Sequence, residues 1–369
     1  MKILVTGSNG FIGKNLIESL ARTKSLEVLT YTKNDSQEHL ENLLEKADFI
    51  FHLAGVNRPQ NSVEFYHGNS DLTQLIVNTL VKLQKKVPIL LSSSTQVGGD
   101  SDYAKSKEMS EKIIEQYSID YHVKCFIYRL PNVFGKWSKP NYNSAIATWC
   151  HNITRDLPIQ VNDRTTILNL VYIGDVIGAF IERLFVSQSD SLYYDIPVIY
   201  QKTLGEIEDL LYQFRESRTS LLIPQIADGF KRAMYATYLS FLPHDRFSYK
   251  LSGHQDIRGT FYEILKTLDS GQLGLSTTKP GVTRGNHYHN TKNEKFLVIR
   301  GKALIELRDI NSDEIIQYNV CGEELEIVEM IPGYTHNITN TGDDEMVLLI
   351  WANENYNPNA PDTNFLVVK

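Results

Sequence analysis

A chain of 369 residues, 42% hydrophobic and 22% charged, is long for one domain and holds enough apolar side chain for two cores. Its net charge of −7, with no long basic run, argues against nucleic acid as a partner, and no apolar run reaches the ~18 residues of a membrane span. Cys125, Cys150 and Cys321 lack CxxC spacing, so neither a disulfide framework nor a thiolate metal site is indicated and a reducing, cytoplasmic setting is expected.

Ile3-Leu4-Val5 is a short run suited to a strand buried on both faces, and it reads as a strand rather than as part of a signal peptide. It stops at Thr6-Gly7-Ser8-Asn9-Gly10-Phe11-Ile12-Gly13, after which residues 14–21 read as a helix. Strand, glycine loop and helix together form a dinucleotide site. Gly7 permits the turn, Gly10 lets backbone approach a pyrophosphate, Gly13 permits close helix packing, and the helix N-terminus offers free N–H groups. Gly7, Asn9, Gly10, Phe11, Ile12 and Gly13 are therefore candidate cofactor contacts.

Further strands are expected at 28–31, 49–53 and 88–91, alternating with helices, which predicts an α/β Rossmann-like, doubly wound parallel sheet. The strand at 49–53 leads into Leu53-Ala54-Gly55, where small residues leave room for a cofactor. The strand at 88–91 runs into Ser92-Ser93-Ser94. Tyr103 and Lys107, four apart on a helix, share one face, and an ammonium there is expected to lower the tyrosine pKa. The strand at 28–31 ends without the acidic residue that binds a ribose 2′-hydroxyl. Thr30, Thr32 and Lys33 suit a 2′-phosphate better, so NADPH is expected over NADH.

These residues resemble the extended short-chain dehydrogenase/reductase family of nucleotide-sugar enzymes over roughly residues 1–240. TGxxGFIG, HLAG, the serine-ended strand, YxxxK and Arg129-Leu-Pro-Asn-Val-Phe-Gly135 fall in that family's order. The resemblance implies that Ser94, Tyr103 and Lys107 surround a nicotinamide, with Ser93 as the alternative to Ser94. Tyr103 follows Ser94 by only nine positions, closer than is usual in the family, so a trimmed loop and a more open pocket are expected. Because sugar epimerases of the family retain NAD, NADPH points to a net reduction.

Helices are expected at 204–214 and around 225–242, and Pro243-His-Asp-Arg246 breaks the pattern. Beyond it come short alternating runs separated by turns, at 261–265, 295–299, 303–307, 324–329 and 346–350. The chain is thus read as a reductase domain, 1–245, and an all-β domain, 246–369. In the second, His287 and His289 point to one face of a strand, Glu294 follows a short turn, and His336 lies downstream. Three neutral imidazoles and a carboxylate suit a divalent ion, Zn²⁺ for a non-redox role, with Mn, Fe or Ni using the same ligands.

Gly281-x5-His287-x-His289-x4-Glu294-x6-Gly301 and Pro332-Gly-Tyr-Thr-His336-x3-Asn340 resemble the two motifs of the cupin superfamily, implying a double-stranded β-helix, or jelly-roll, barrel. Asp256-Ile-Arg258-Gly-Thr-Phe-Tyr-Glu263 and Gly281-Val-Thr-Arg284-Gly-Asn-His287 resemble the deoxysugar 3,5-epimerases, also cupins. That second likeness implies that Arg258, Glu263 and Arg284 hold a nucleotide diphosphate and that His287 is a general base. A histidine on a metal has no lone pair left for a proton, so metal-bound hydroxide, Tyr288 and Tyr334 stand as alternatives.

The whole arrangement resembles the bifunctional capsular-polysaccharide enzymes of the CapF type. It implies C3 epimerisation of a UDP-4-keto-2-acetamido-2,6-dideoxyhexose in the cupin and NADPH-dependent C4 reduction in the reductase. The product is then UDP-2-acetamido-2,6-dideoxy-L-talose, towards UDP-N-acetyl-L-fucosamine, made by a homodimer. The rival reading is a reductase alone, whose cupin is structural, dimer-forming or metal-sensing.

Overall fold

Strands β1 (Lys2–Thr6), β3 (Phe49–His52), β4 (Ile89–Ser94) and β5 (Cys125–Leu130) each carry a buried apolar run of three or more residues, as a sheet covered on both faces requires, while the edge strand β2 (Glu27–Tyr31) buries only Tyr31. Ile3, Val5, Phe49, Phe51, Leu90, Phe126 and Tyr128 enter one core, while Leu4, Ile50, Ile89, Leu91 and Ile127 enter the other. The computed structural model describes all residues except 60 and 187–190. It divides into two compact units, one of Met1–Tyr212 with Asp228–Pro243 and one of Gln213–Ala227 with His244–Lys369.

In the first unit three further strands follow, β6 (Asn132–Phe134), β7 (Ile167–Tyr172) and β8 (Tyr193–Tyr194), and then β9 (Tyr200–Thr203). The main sheet is parallel, in the order β2-β1-β3-β4-β5-β8, and β6, β7 and β9 form a small second sheet. Strand order reverses at β1, so the crevice at the carboxyl ends of β1 and β3 is the expected ligand position. Register sets Thr6 beside His52 there. Helix α1 (Phe11–Leu20) begins three residues earlier than its apolar pattern suggests, directly after the glycine loop. Helices α2 (Gln37–Lys46), α3 (Val63–Tyr66), α4 (Leu72–Lys82) and α5 (Asp102–Tyr121) follow; Ser101 caps α5 by accepting from Ala104 N at 3.1 Å.

The second unit holds two antiparallel sheets. One runs β10 (Gly253–Asp256), β11 (Gly259–Lys266), β12 (Gln272–Thr278), β19 (Met346–Ala352), β14 (Glu294–Arg300), β17 (Ile327–Met330); the other runs β16 (Ile315–Cys321), β15 (Lys302–Asp309), β18 (Tyr334–Asn340), β13 (Thr283–Tyr288), β20 (Asn364–Phe365). Phe296, Val298, Ile305, Leu307, Ile338 and Leu348 form the core of this cupin-like fold. Residues 213–227 belong to this unit because Ile223 N and Lys266 N bond to Lys266 O and Leu221 O, at 2.8 and 2.7 Å. Among the described residues no helix is long and apolar enough to cross a membrane.

Candidate active site and metal centre

The glycine loop leaves no space for side chains. A Cβ on Gly7 (φ +67°) would lie 2.7 Å from Ala54 N, and one on Gly13 would lie 2.4 Å from Gly7 O, so loop, β3 end and α1 are in backbone contact. Gly10 caps α1 with no side-chain hydrogen bond, and the first turn carries no acidic residue, leaving N–H groups and the positive dipole end for an anion. This cradle opens into a cavity of about 1110 Å³ lined by Gly7, Asn9, Gly10, Phe11, Ile12, Gly13, Leu53 and Gly55, with Ser94, Tyr103 and Lys107 on its wall. These features fit a dinucleotide. Thr30 and Lys33 are exposed and do not line that cavity, and Thr32 is engaged by Asp35, whose carboxylate accepts from Thr32 N and Oγ1 at 2.7 and 2.8 Å.

Ser94 ends β4, and Tyr103 and Lys107 lie in the first turns of α5, so sheet and helix bring the three together. Ser94 lies close enough to the Tyr103 hydroxyl to favour its ionised form, and its Oγ accepts from Gln96 N at 3.2 Å. Ser93 points elsewhere: its Oγ donates to Glu111 Oε1 at 2.5 Å, and Glu111 pairs with Arg129 at 2.6 Å. The expected lowering of the Tyr103 pKa is not found. Burial raises it, opposed by Ser94, and the Lys107 ammonium, which was expected to lower it, is turned to Ser92 O at 3.0 Å. Burial in turn pulls Lys107 down to about 8, against the pull of Glu111.

Sequence reasoning missed a buried polar chain beneath this site. Ala54 N donates to Thr6 Oγ1 at 3.2 Å, and Thr6 Oγ1 lies 2.8 Å from His52 Nδ1. His52 Nε2 lies 2.9 Å from Thr73 Oγ1, which donates to Asn69 O at 2.8 Å. Since Thr73 spends its proton on Asn69, His52 must donate from Nε2 and accept at Nδ1, a neutral ring whose pKa burial and Lys107 lower to about 3. Asn69, in a π-helical turn (His67–Asp71), also accepts from Val56 N and donates to Ser106 Oγ, at 3.0 and 2.9 Å. A histidine ending the otherwise apolar FIFH strand was the available signal.

In the second unit the donor atoms of His287, His289, Glu294 and His336 all lie within 4.8 Å of one another. Arg284 and His287 are three apart and would face opposite ways on a regular strand. A bulge between Gly285 and His287, with Asn286 at φ +60°, turns both to the face of Ile338 and His336. His289 Nδ1 donates to Asp362 O, leaving its Nε2 for the cluster. Nε2 of His289 and of His336 is buried without a hydrogen-bond partner, which fits a metal ligand set. Glu294 Oε2 lies 3.4 and 3.6 Å from those two nitrogens, while Oε1 pairs with Lys292 at 2.7 Å. The Glu294 carboxyl is held well below its usual range by these partners despite burial, and burial and the other histidines push His287 down to about 4.

Arg258 and Arg284 converge on Asp256, at 2.5 and 3.7 Å, whereas Glu263 pairs with Lys266 at 2.8 Å. Alternation places Tyr334 on the His336 face and Tyr288 opposite His287 and His289.

Residues 3–184 match the NAD dependent epimerase/dehydratase family and residues 254–364 match the polysaccharide biosynthesis C-terminal domain. The chain is 48% identical over 363 residues, 98% of each protein, to a UDP-2-acetamido-2,6-beta-L-arabino-hexul-4-ose reductase of Pseudomonas aeruginosa. It superposes on the capsular polysaccharide assembling protein CapF of Staphylococcus aureus with a TM-score of 0.94, at 46% identity over 100% of both chains. A UDP-glucuronic acid 4-epimerase of Bacillus cereus shares the fold over 65% of this chain and 99% of its own, with a TM-score of 0.56 at 17% identity. Fold and site define a short-chain dehydrogenase/reductase-type enzyme, of a kind that uses a nicotinamide cofactor, joined to a cupin-like domain. The chain belongs to the CapF family of capsular-polysaccharide enzymes.

Proposed function

We propose that the first unit reduces the C4 ketone of a UDP-2-acetamido-2,6-dideoxy-4-ketohexose with NADPH and that the second inverts the same sugar at C3. The product of the pair is UDP-2-acetamido-2,6-dideoxy-L-talose, on the way to UDP-N-acetyl-L-fucosamine. The observation that carries the reading is the full-length relative named as a hexul-4-ose reductase, 48% identical to this chain.

When bound, the nicotinamide supplies the hydride. The glycine loop and the α1 N-terminus hold its phosphates, and the preference for NADPH rests on β2 ending without an acidic residue, since Thr30 and Lys33 lie outside the cavity wall. Tyr103, kept protonated by burial, gives a proton to the C4 oxygen, and Ser94 hydrogen-bonds that oxygen. Lys107, at about 8, carries a proton it can exchange near working pH.

His287, His289, Glu294 and His336 would hold a divalent ion, Zn²⁺ by preference. When bound, the metal supplies Lewis-acid polarisation, which acidifies the hydrogen beside a ketone. Arg258 and Arg284 bring positive charge for the diphosphate, with Glu263 as the third substrate-holding residue. With the histidines engaged as ligands, Tyr334 is the favoured proton-transfer group among the side chains, since Tyr288 faces away.

Incubating protein and substrate in D₂O without NADPH tests the pair of activities: C3 takes up deuterium. A second reading is supported by the same relative, which is named as a reductase. In that reading the cupin-like unit is structural, and C3 stays free of deuterium while NADPH is still oxidised. A homodimer belongs to the proposal through family resemblance; sedimentation equilibrium decides it.

A further inference from the structure

The chain's last eight residues, 362–369, reach the flank of every histidine in the cluster. Phe365 pairs with His287 and Asn364 with Tyr288 where β20 lies along β13. Leu366 N donates to Asn286 O at 3.0 Å, on the bulge that turns His287 inward, and Leu366 O accepts from Thr335 Oγ1, next to His336. Val367 O and Val368 O accept from Arg308, at 2.9 and 2.7 Å, and Lys369 pairs with the buried Glu306 at 2.9 Å. This strap is tied down along its length.

Asp362 opens the strap and makes the densest contacts. Its carboxylate accepts from three consecutive backbone N–H groups, Asn290, Thr291 and Lys292, at 3.0, 2.7 and 2.9 Å, and from Thr291 Oγ1 and Asn290 Nδ2 at 3.1 and 3.0 Å. Its backbone carbonyl accepts His289 Nδ1. The loop it grips is the turn between His289 and Glu294, and the grip also places Lys292, whose Nζ holds Glu294 Oε1 at 2.7 Å. One residue thereby sets the tautomer and tilt of one ligand, the path of the loop, and which oxygen of a second ligand stays toward the cluster.

We propose that Asp362 is a positioning residue of the metal centre and that the C-terminal strap forms the outer layer of that centre. The inference rests on the reading of His287, His289, Glu294 and His336 as metal ligands. Loss of the carboxylate frees the 290–292 N–H groups and lets His289 and Glu294 drift from their shared focus. Outer-layer partners of this kind are worth about 10- to 100-fold in metal affinity.

The test is chelator competition for Zn²⁺ on the full-length protein, with the visible absorption of the Co²⁺-loaded form as a geometric readout. D362A should bind Zn²⁺ 10- to 100-fold more weakly and change the intensity and position of the cobalt bands. Isosteric D362N, which keeps one amide oxygen for the loop, should fall between wild type and D362A. A wild type that binds no metal removes the ligand reading itself. A wild type that binds one equivalent, with D362A matching it in affinity and cobalt spectrum, overturns the positioning role and leaves the ligand reading intact. If D362A does not fold, D362N decides: a wild-type cobalt spectrum and affinity in D362N overturns the proposal, and a loss in both upholds it.

Discussion

Ser93 Oγ lies 2.5 Å from Glu111 Oε1, in a buried cluster that Arg129 closes, while its neighbour Ser94 lines the cavity with Tyr103 and favours that tyrosine's ionised form. Two adjacent hydroxyls on β4 therefore do different work. Ser94→Ala should lower kcat for ketone reduction by about 100-fold, the usual scale for one donor at a developing oxyanion, with little change in melting temperature. Ser93→Ala should cost about 1 to 2 kcal/mol of stability, since Glu111 loses one hydrogen bond but keeps Arg129, and should leave kcat within a few-fold. Paired turnover and melting measurements decide the matter. A larger kcat loss in Ser93→Ala would reverse the assignment.

The buried ammonium of Lys107 has a stability cost. With its pKa pulled from 10.5 to about 8, the unfolded chain binds a proton that the folded one has lost between those values, so stability attributable to this group rises with pH across that window. Below about pH 8 the full desolvation penalty is present, of order 3 kcal/mol. Lys107→Met should be inactive in reduction yet melt higher than wild type at pH 7, with the gap closing by pH 10. Denaturant titrations of both proteins at pH 7, 8.5 and 10 check this. A gap independent of pH would show that the ammonium is not desolvated.

What was legible in the sequence was local. The glycine loop, YxxxK and the HxH pair are patterns within a few residues, and each constrains backbone or side-chain direction by itself. The parallel sheet was legible because burial on both faces demands unbroken apolar runs such as Ile3-Leu4-Val5. Contacts between distant segments were not. Asp362 O and His289 are 73 positions apart, His52 and Thr6 46 apart, and no periodicity links either pair. The Tyr103 shift was misjudged for a related reason: spacing put Lys107 on its face, but the backbone carbonyl of Ser92 claims the ammonium. The strand expected at 324–329 is β17 at Ile327–Met330, displaced because its register is set by pairing with β14 rather than by its own alternation.

Gly285 and Gly281 both adopt positive φ, at +99° and +71°, but only Gly285 is crowded. A Cβ there would lie 2.7 Å from His336 O, whereas nothing lies within 4 Å of one on Gly281. Gly285→Ala should therefore push β18 away at His336 and weaken Zn²⁺ binding roughly tenfold. Gly281→Ala carries the backbone strain without the clash and should leave metal affinity near wild type. Chelator competition on the two variants separates strain from close approach; equal losses would remove the bulge from the account of the cluster.

The Thr6–His52–Thr73 chain makes the first unit acid-sensitive. His52 must stay neutral to accept at Nδ1, and its pKa, about 3 when folded against 6.5 when free, means that the unfolded chain takes up a proton first as pH falls. Stability from this group is complete above about pH 6.5 and is lost progressively down to about pH 3. A glutamine can donate to Thr73 and accept from Thr6 without titrating. His52→Gln should be less stable than wild type at pH 7, where its fit is poorer, but the difference should shrink by about 2 to 3 kcal/mol on going to pH 4.5. Urea unfolding at the two pH values measures this directly. A difference that stays constant would mean that His52 takes up a proton in the fold as readily as in the unfolded chain, so that Nδ1 donates to Thr6 Oγ1 instead of accepting from it.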